Sequence, residues 1–304
     1  MVRKPAWAIK ILLVDRLVRK YNAYMAMRIR HPIVAGAFYP REVGRLRQLV
    51  AELLDVPPDL RGGPLRAPVG LISPHAGYPY SGATAAVGFR QVAALGAPDL
   101  AIVLGASHTG LGPAIALDDH EAWETPLGVL PVDGQAVSRL CGGGLSIDGA
   151  PFLREHSIEV QLPFIQGLWP EGVSIVPICV HPGPLGELST AARAIAELVS
   201  DRSALILASS DFTHYESAET ATRLDRRALE YIVAMDAEAF LNHVKASRLT
   251  ICGAGAITLL MLACVQLGLG TAELIQYTTS GETTGDFSSV VGYASVLFSG
   301  GNHD

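Results

Sequence analysis

The chain has 304 residues, 49% of them apolar and 17% charged, with 31 glycines and 19 prolines. That length suits one large domain or two ordinary ones, and the composition is that of a compact globular protein with many tight turns. A net charge of -6 and a pI near 5.8 give no basis for nucleic acid or an anionic membrane as partner.

The first 29 residues carry most of an unusual basic run: eight Lys or Arg up to Arg30, with apolar residues between them. A signal peptide needs an unbroken apolar core, and "AWAIKILLV" is interrupted by Lys10 and followed by Asp15 and Arg16. No stretch reaches the roughly 20 apolar residues of a membrane span. Residues 1–29 therefore read as a peripheral basic extension, or as a start assigned upstream of Met25 or Met27, and residues 30–304 as one domain. Apolar, β-branched runs of strand length follow at 67–73, 99–107, 173–180 and 203–210. They are continuous rather than alternating, as in strands covered on both faces. Helical segments lie between them at 42–55, 82–95, 157–169 (interrupted by Pro163) and 185–201. A long helical stretch begins after residue 217, an Ala/Leu-rich helix follows Cys252, and two closing strands end the chain. This order predicts an α/β fold, a largely parallel or mixed central sheet with helices on both faces. Cys141, Cys179, Cys252 and Cys264 form no CxxC pair, which reads as reduced thiols in a cytoplasmic protein.

In open α/β sheets ligands bind outside the carboxyl ends of the strands, so what each apolar run delivers is informative. The first run delivers Ser73-Pro74-His75, the second Ser107-His108-Thr109, and the fourth Asp211 and His214. Three strands ending in histidine, in a chain with nine, is more than scattered placement supplies. A pair of neutral imidazoles is the commonest start of a transition-metal site. Convergence of His75 and His108 requires their strands to be close, and sequential strands are usually neighbours. The third ligand could be Asp211, Glu159 or Cys252. Cys252 stands among glycines ahead of a helix, where the dipole favours a thiolate. Asp211 and His214 read as an orienting carboxylate and a base, and His156, Glu159 and Gln161 in "REHSIEVQLPF" as further polar residues. "TGLGPAIALDDH" lacks dinucleotide-binding spacing, and "GASHTG" is not a nucleophile elbow. His31, His120, His181, His243 and His303 have no supporting neighbours in sequence.

Taken together, "AGAFYP" (35–40), "ISPHAGYPYSG" (72–82), "LGASHTG" (104–110), "WETPLG" (123–128), "EHSIEVQLPF" (155–164), "SSDFTHY" (209–215) and "TICGAGAI" (250–257) resemble the Memo family. Its prokaryotic members are also called AmmeMemoRadiSam system protein B. The resemblance spans about residues 30 to 298. It implies a fold like that of the class III extradiol ring-cleaving dioxygenases, with a cysteine in place of their metal-binding carboxylate. The implied ligands are His75, His108 and Cys252, holding one Fe(II) or Cu(I)/Cu(II) per chain. Asp211 and His214 match the family's acid–base positions, and His156, Glu159, Gln161 and Tyr78 would line the pocket. The implied function is a metal-dependent oxidoreductase. The alternative is a metal carrier or a peptide- or protein-binding module without turnover. Implied partners are a small molecule or peptide, and radical-SAM and AMMECR1-like proteins. The chain departs from animal members at Ala254-Gly255, where they carry a basic residue and a histidine, and at Gln161, where they carry another histidine. Both changes make the expected pocket less polar.

Overall fold

A computed structural model describes residues 27–55, 65–170 and 172–300. The four apolar runs form a parallel core: β2 (Val69–Ser73), β3 (Leu100–Ala106), β8 (Ser174–Val180) and β9 (Ala204–Ser209). Their spatial order is β2-β9-β3-β8. The short strands β4 (Ile115–Leu117) and β7 (Ser146–Ile147) extend the sheet beyond β8, with β4 antiparallel to it. At the other side β12 (Val290–Ser299) runs antiparallel to β2 and carries β10 (His214–Glu216) and β11 (Thr271–Thr279). A separate three-stranded sheet joins β1 (Ile29–Arg30), β5 (Ala122–Thr125) and β6 (Gly128–Pro131). The boundary read at residue 29 thus falls inside β1. Most of the basic run, residues 1–26, lies outside the described residues.

Core strands are apolar throughout because each face has its own cover. Leu100, Ile102 and Leu104 of β3 pack into one cluster with α3 (Gly134–Gly142), α5 (Leu185–Val199) and α8 (Ala254–Gln266). Ala101 and Val103 face the other cluster, built by α1 (Val43–Leu54), α2 (Tyr78–Leu95) and α4 (Leu162–Leu168). Helix α8 is buried over nearly its whole circumference, which explains a composition without a polar stripe. It also packs tightly against the segment after β8: a Cβ on Gly255 would lie 2.5 Å from the carbonyl oxygen of His181.

Local chemistry moved several expected boundaries. Helix α2 begins at Tyr78, four residues ahead of the apolar pattern, because Pro79 suits a first turn whose N–H groups need no intrahelical partner. The stretch after residue 217 is two helices, α6 (Ala218–Val233) and α7 (Ala237–Ser247). Met235 adopts a positive φ between them, and the Asp236 side chain caps α7 by accepting from Ala239 N–H. Ahead of α4, Glu159–Gln161 form a 3₁₀ turn. Among the described residues no helix is long and apolar enough to cross a membrane.

Candidate metal centre

His75 and His108 each stand two residues beyond the end of a core strand, and so does Asp211 beyond β9. The strands of the two histidines are not neighbours. β9 lies between them, so its carboxyl end supplies the floor of the site. The imidazoles still meet, with ring centroids 5.2 Å apart and planes perpendicular. His156 joins them from the loop after Glu155, stacked on His108 at 4.6 Å and edge-on to His75 at 5.4 Å. One ligand nitrogen from each of these three side chains lies within 4.8 Å of the other two. His75 is buried, His156 half-buried, and His108 open to solvent.

Hydrogen bonds fix the tautomers. The Ser209 hydroxyl donates to the Ser157 carbonyl (2.7 Å) and accepts from Gln161 Nε2 (2.8 Å). Its single proton is therefore engaged, and it can only accept from His75 Nδ1 at 3.0 Å. That leaves Nε2 of His75 as an acceptor, with the Cys252 thiol in hydrogen-bonding range at 3.3 Å. His108 Nδ1 donates to the buried carboxylate of Glu155 (2.9 Å), and its Nε2 is an acceptor as well. An imidazole held by a carboxylate through one nitrogen is oriented to bind metal through the other.

Glu155 is the residue that sequence reasoning missed. Beyond the His108 ring it accepts the backbone N–H groups of His108 (2.8 Å), His156 (2.9 Å) and Ser157 (2.8 Å). Burial alone would raise its carboxyl, but the hydrogen bonds and charge of His108, with the backbone donors, outweigh burial and hold it at about 2. Burial likewise opposes the charged form of His108, and the contact with Glu155 overrides it and raises that imidazole.

Other expected residues are deployed differently. Glu159 is fully buried, but its carboxylate faces the N-terminal segment and takes Arg30, the N–H groups of Ile33 (2.9 Å) and Val34 (3.0 Å), and the Tyr39 hydroxyl (2.6 Å). Its acceptor positions are filled, and it clamps the segment that carries Phe38 onto His156 (centroids 4.7 Å). Tyr78 donates to the Val160 carbonyl (2.8 Å) and stacks on Phe164 within the core rather than lining a pocket. Gln161 sits behind His75, its Nε2 also donating to the Pro74 carbonyl, while Oε1 has no partner among the described residues. Asp211 accepts the His75 backbone N–H (2.7 Å), and burial raises its carboxyl to about 6. It does not orient His214, whose Nδ1 donates instead to the Thr250 carbonyl (2.9 Å), with no hydrogen bond to Nε2 among the described residues. Cys252 lies ahead of α8, yet burial pushes its thiol up, overriding the expected effect of the helix dipole; the Asp211 N–H donates to its sulfur (3.3 Å).

A second cluster, Asp118, Asp119 and His120, surrounds a residue that seemed isolated in sequence. Asp118 accepts from His120 (2.8 Å) and Trp123 Nε1 (2.6 Å), and Asp119 pairs with Arg28. These contacts tie the small sheet to the chain entering β1.

Comparison with known proteins identifies the family. Residues 30–297 match the family model described as Memo-like protein. A MEMO1 family protein of Nitrosopumilus maritimus is 38% identical over 274 residues, covering 89% of this chain and 99% of its own length. One from Desulfurococcus amylolyticus is 39% identical (90% and 99%), and one from Thermotoga neapolitana is 39% identical (89% and 100%). The crystal structure of uncharacterized protein JW3007 from Escherichia coli K12 aligns with a TM-score of 0.49 and 12% identity, over 75% of this chain and 98% of that one. On the strength of the family match and the full-length relatives, the chain belongs to the Memo family.

Proposed function

We propose that this protein binds one redox-active transition metal, Fe(II) or copper, at His75 and His108 with Cys252 beside them, and uses it in an oxidoreductase reaction related to dioxygenase chemistry. The observation that carries the reading is the pair of tautomer-locked imidazoles. Both are held through Nδ1, by Ser209 and Glu155, which leaves Nε2 of each as the metal-facing nitrogen in a pair of rings 5.2 Å apart, with a sulfur beside His75. Nitrogen and sulfur donors without a bound carboxylate suit Fe(II) or copper better than magnesium or calcium. When bound, the metal supplies Lewis-acid and one-electron redox chemistry. The chain's own residues do the rest. His214, held through Nδ1 by Thr250, offers Nε2 as a proton acceptor, and Asp211 fixes the backbone of His75.

The test is elemental mass spectrometry on protein purified without oxygen or chelators, for wild type and for His75→Ala and His108→Ala. Near-stoichiometric iron or copper that both changes abolish is the expected result. No bound metal, and no uptake when Fe(II) or Cu(I) is supplied, would sink the reading. A second reading, a metal carrier without turnover, is favoured by the solvent-open edge at His108. Rapid transfer of the ion to a small chelator, with no oxygen consumption across a panel of substrates, would select it.

A further inference from the structure

His156 has a role that the two-histidine-plus-cysteine set does not include. Its ring shares a face with His108 and an edge with His75, and Phe38 closes the outer side at 4.7 Å. Its backbone N–H is pinned by the same carboxylate that orients His108. The nearest acceptor in an ion-pair contact with its ring is Glu155 Oε1, at 3.8 Å from Nδ1, too far for a hydrogen bond. A half-buried imidazole without a hydrogen-bonded partner among the described residues is thus turned toward two others. Among those residues His75, His108 and His156 form a compact donor group, with Cys252 at its His75 edge only.

We propose that His156 is the third nitrogen ligand: His75, His108 and His156 hold a divalent transition ion, and Cys252 is an additional donor that divalent binding does not require. The inference rests on the metal reading above. Three imidazoles on separate loops are a sufficient set for Zn(II), Co(II), Fe(II) or Cu(II). Drawing them onto one ion needs the stacked rings of His108 and His156 to turn out of parallel, because in-plane lone pairs of parallel rings do not converge and metal–nitrogen bonds are about 2.0–2.1 Å. The thiol at the His75 edge then decides which soft ion is preferred, not whether an ion binds.

The experiment uses the full chain, stripped of metal, with Co(II) and Cu(II) alone as probes. Co(II) affinity is read from its visible bands, and the number of coordinated imidazoles from pulsed electron paramagnetic resonance of the Cu(II) form. Wild type is expected to show three imidazoles. His156→Phe, which keeps the stacking on His108, is expected to show two and to bind Co(II) at least about tenfold more weakly. His156→Gln, compared by circular dichroism, guards against a folding defect in the first variant. C252S is expected to keep three imidazoles and near-wild-type Co(II) affinity. Unchanged imidazole count and affinity in both His156 variants would overturn the inference, as would loss of Co(II) binding in C252S. His75→Ala separates the two levels of the account. If it abolishes binding while the His156 variants do not, this inference alone fails. If wild type takes up no ion, or His75→Ala binds as well as wild type, the metal reading fails with it.

Discussion

Glu155→Gln is the substitution that probes the design of the site most sharply. The carboxylate accepts four N–H groups, from the His108 backbone and ring and from His156 and Ser157. A glutamine keeps one acceptor oxygen and turns an NH2 group toward the other donors, so at least one buried N–H loses its partner. An orphaned buried donor costs about 1–3 kcal/mol, more where a charge was involved. Linkage gives a similar figure. Holding the carboxyl at about 2 instead of its ordinary 4.5, at about 1.4 kcal/mol per tenfold change in proton affinity, amounts to about 3 kcal/mol at neutral pH. Because the folded value is depressed, that contribution is complete above pH 4.5 and disappears as the pH falls toward 2. Urea unfolding of the metal-stripped chain, followed by tryptophan fluorescence, should show wild type ahead by about 3 kcal/mol at pH 7 and by less than roughly half of that near pH 3. A difference below about 1 kcal/mol at pH 7, or one that does not change with pH, would refute the argument.

Three other outcomes follow from the same geometry. Asp211→Asn keeps an acceptor for the His75 N–H and removes a charge that burial disfavours. With the folded value raised from 3.8 to about 6, wild type gains stability as pH falls through 6. The variant should lead by up to about 3 kcal/mol at pH 7 and lose that lead below pH 4; a less stable variant at pH 7 would contradict this. Glu159→Ala leaves Arg30 buried and unpaired, and should lower stability by about 3–5 kcal/mol, with faster hydrogen exchange over residues 30–39. Exchange confined to wild-type rates would show that the clamp holds nothing. Gly105→Ala puts a Cβ 2.5 Å from Ile158 Cγ1 and 2.8 Å from Ser157 Oγ. Overpacking should cost about 1–3 kcal/mol and displace the loop carrying Glu155 and His156, read as weaker Co(II) binding; an unaffected affinity would refute the coupling.

The strands that deliver His75, His108 and Asp211 were legible because both faces of each are buried, which makes a continuous apolar run that ends where the polar loop begins. The insertion of β9 between β2 and β3 was not legible, since parallel neighbours are chosen by packing across more than a hundred residues. Glu155 and Glu159 stand four apart in one motif, and nothing local tells which faces the histidines. The 3₁₀ turn at Glu159 decides it, sending that carboxylate to Arg30 and leaving Glu155 with His108. Asp211 and His214 look paired at a spacing of three. The extended chain at β10 sends His214 to Thr250 instead. Cys252 does stand ahead of a helix, as its glycine-flanked position suggested, but its protonation depends on how deeply the fold buries it.

The most direct test is an anomalous difference map from crystals grown without oxygen and soaked in Fe(II) or copper, collected at the absorption edge of the metal. The expected result is a single strong peak within about 2.0–2.3 Å of Nε2 of both His75 and His108. A map with no peak there, or with its only peak at Asp118, Asp119 and His120, would contradict the account.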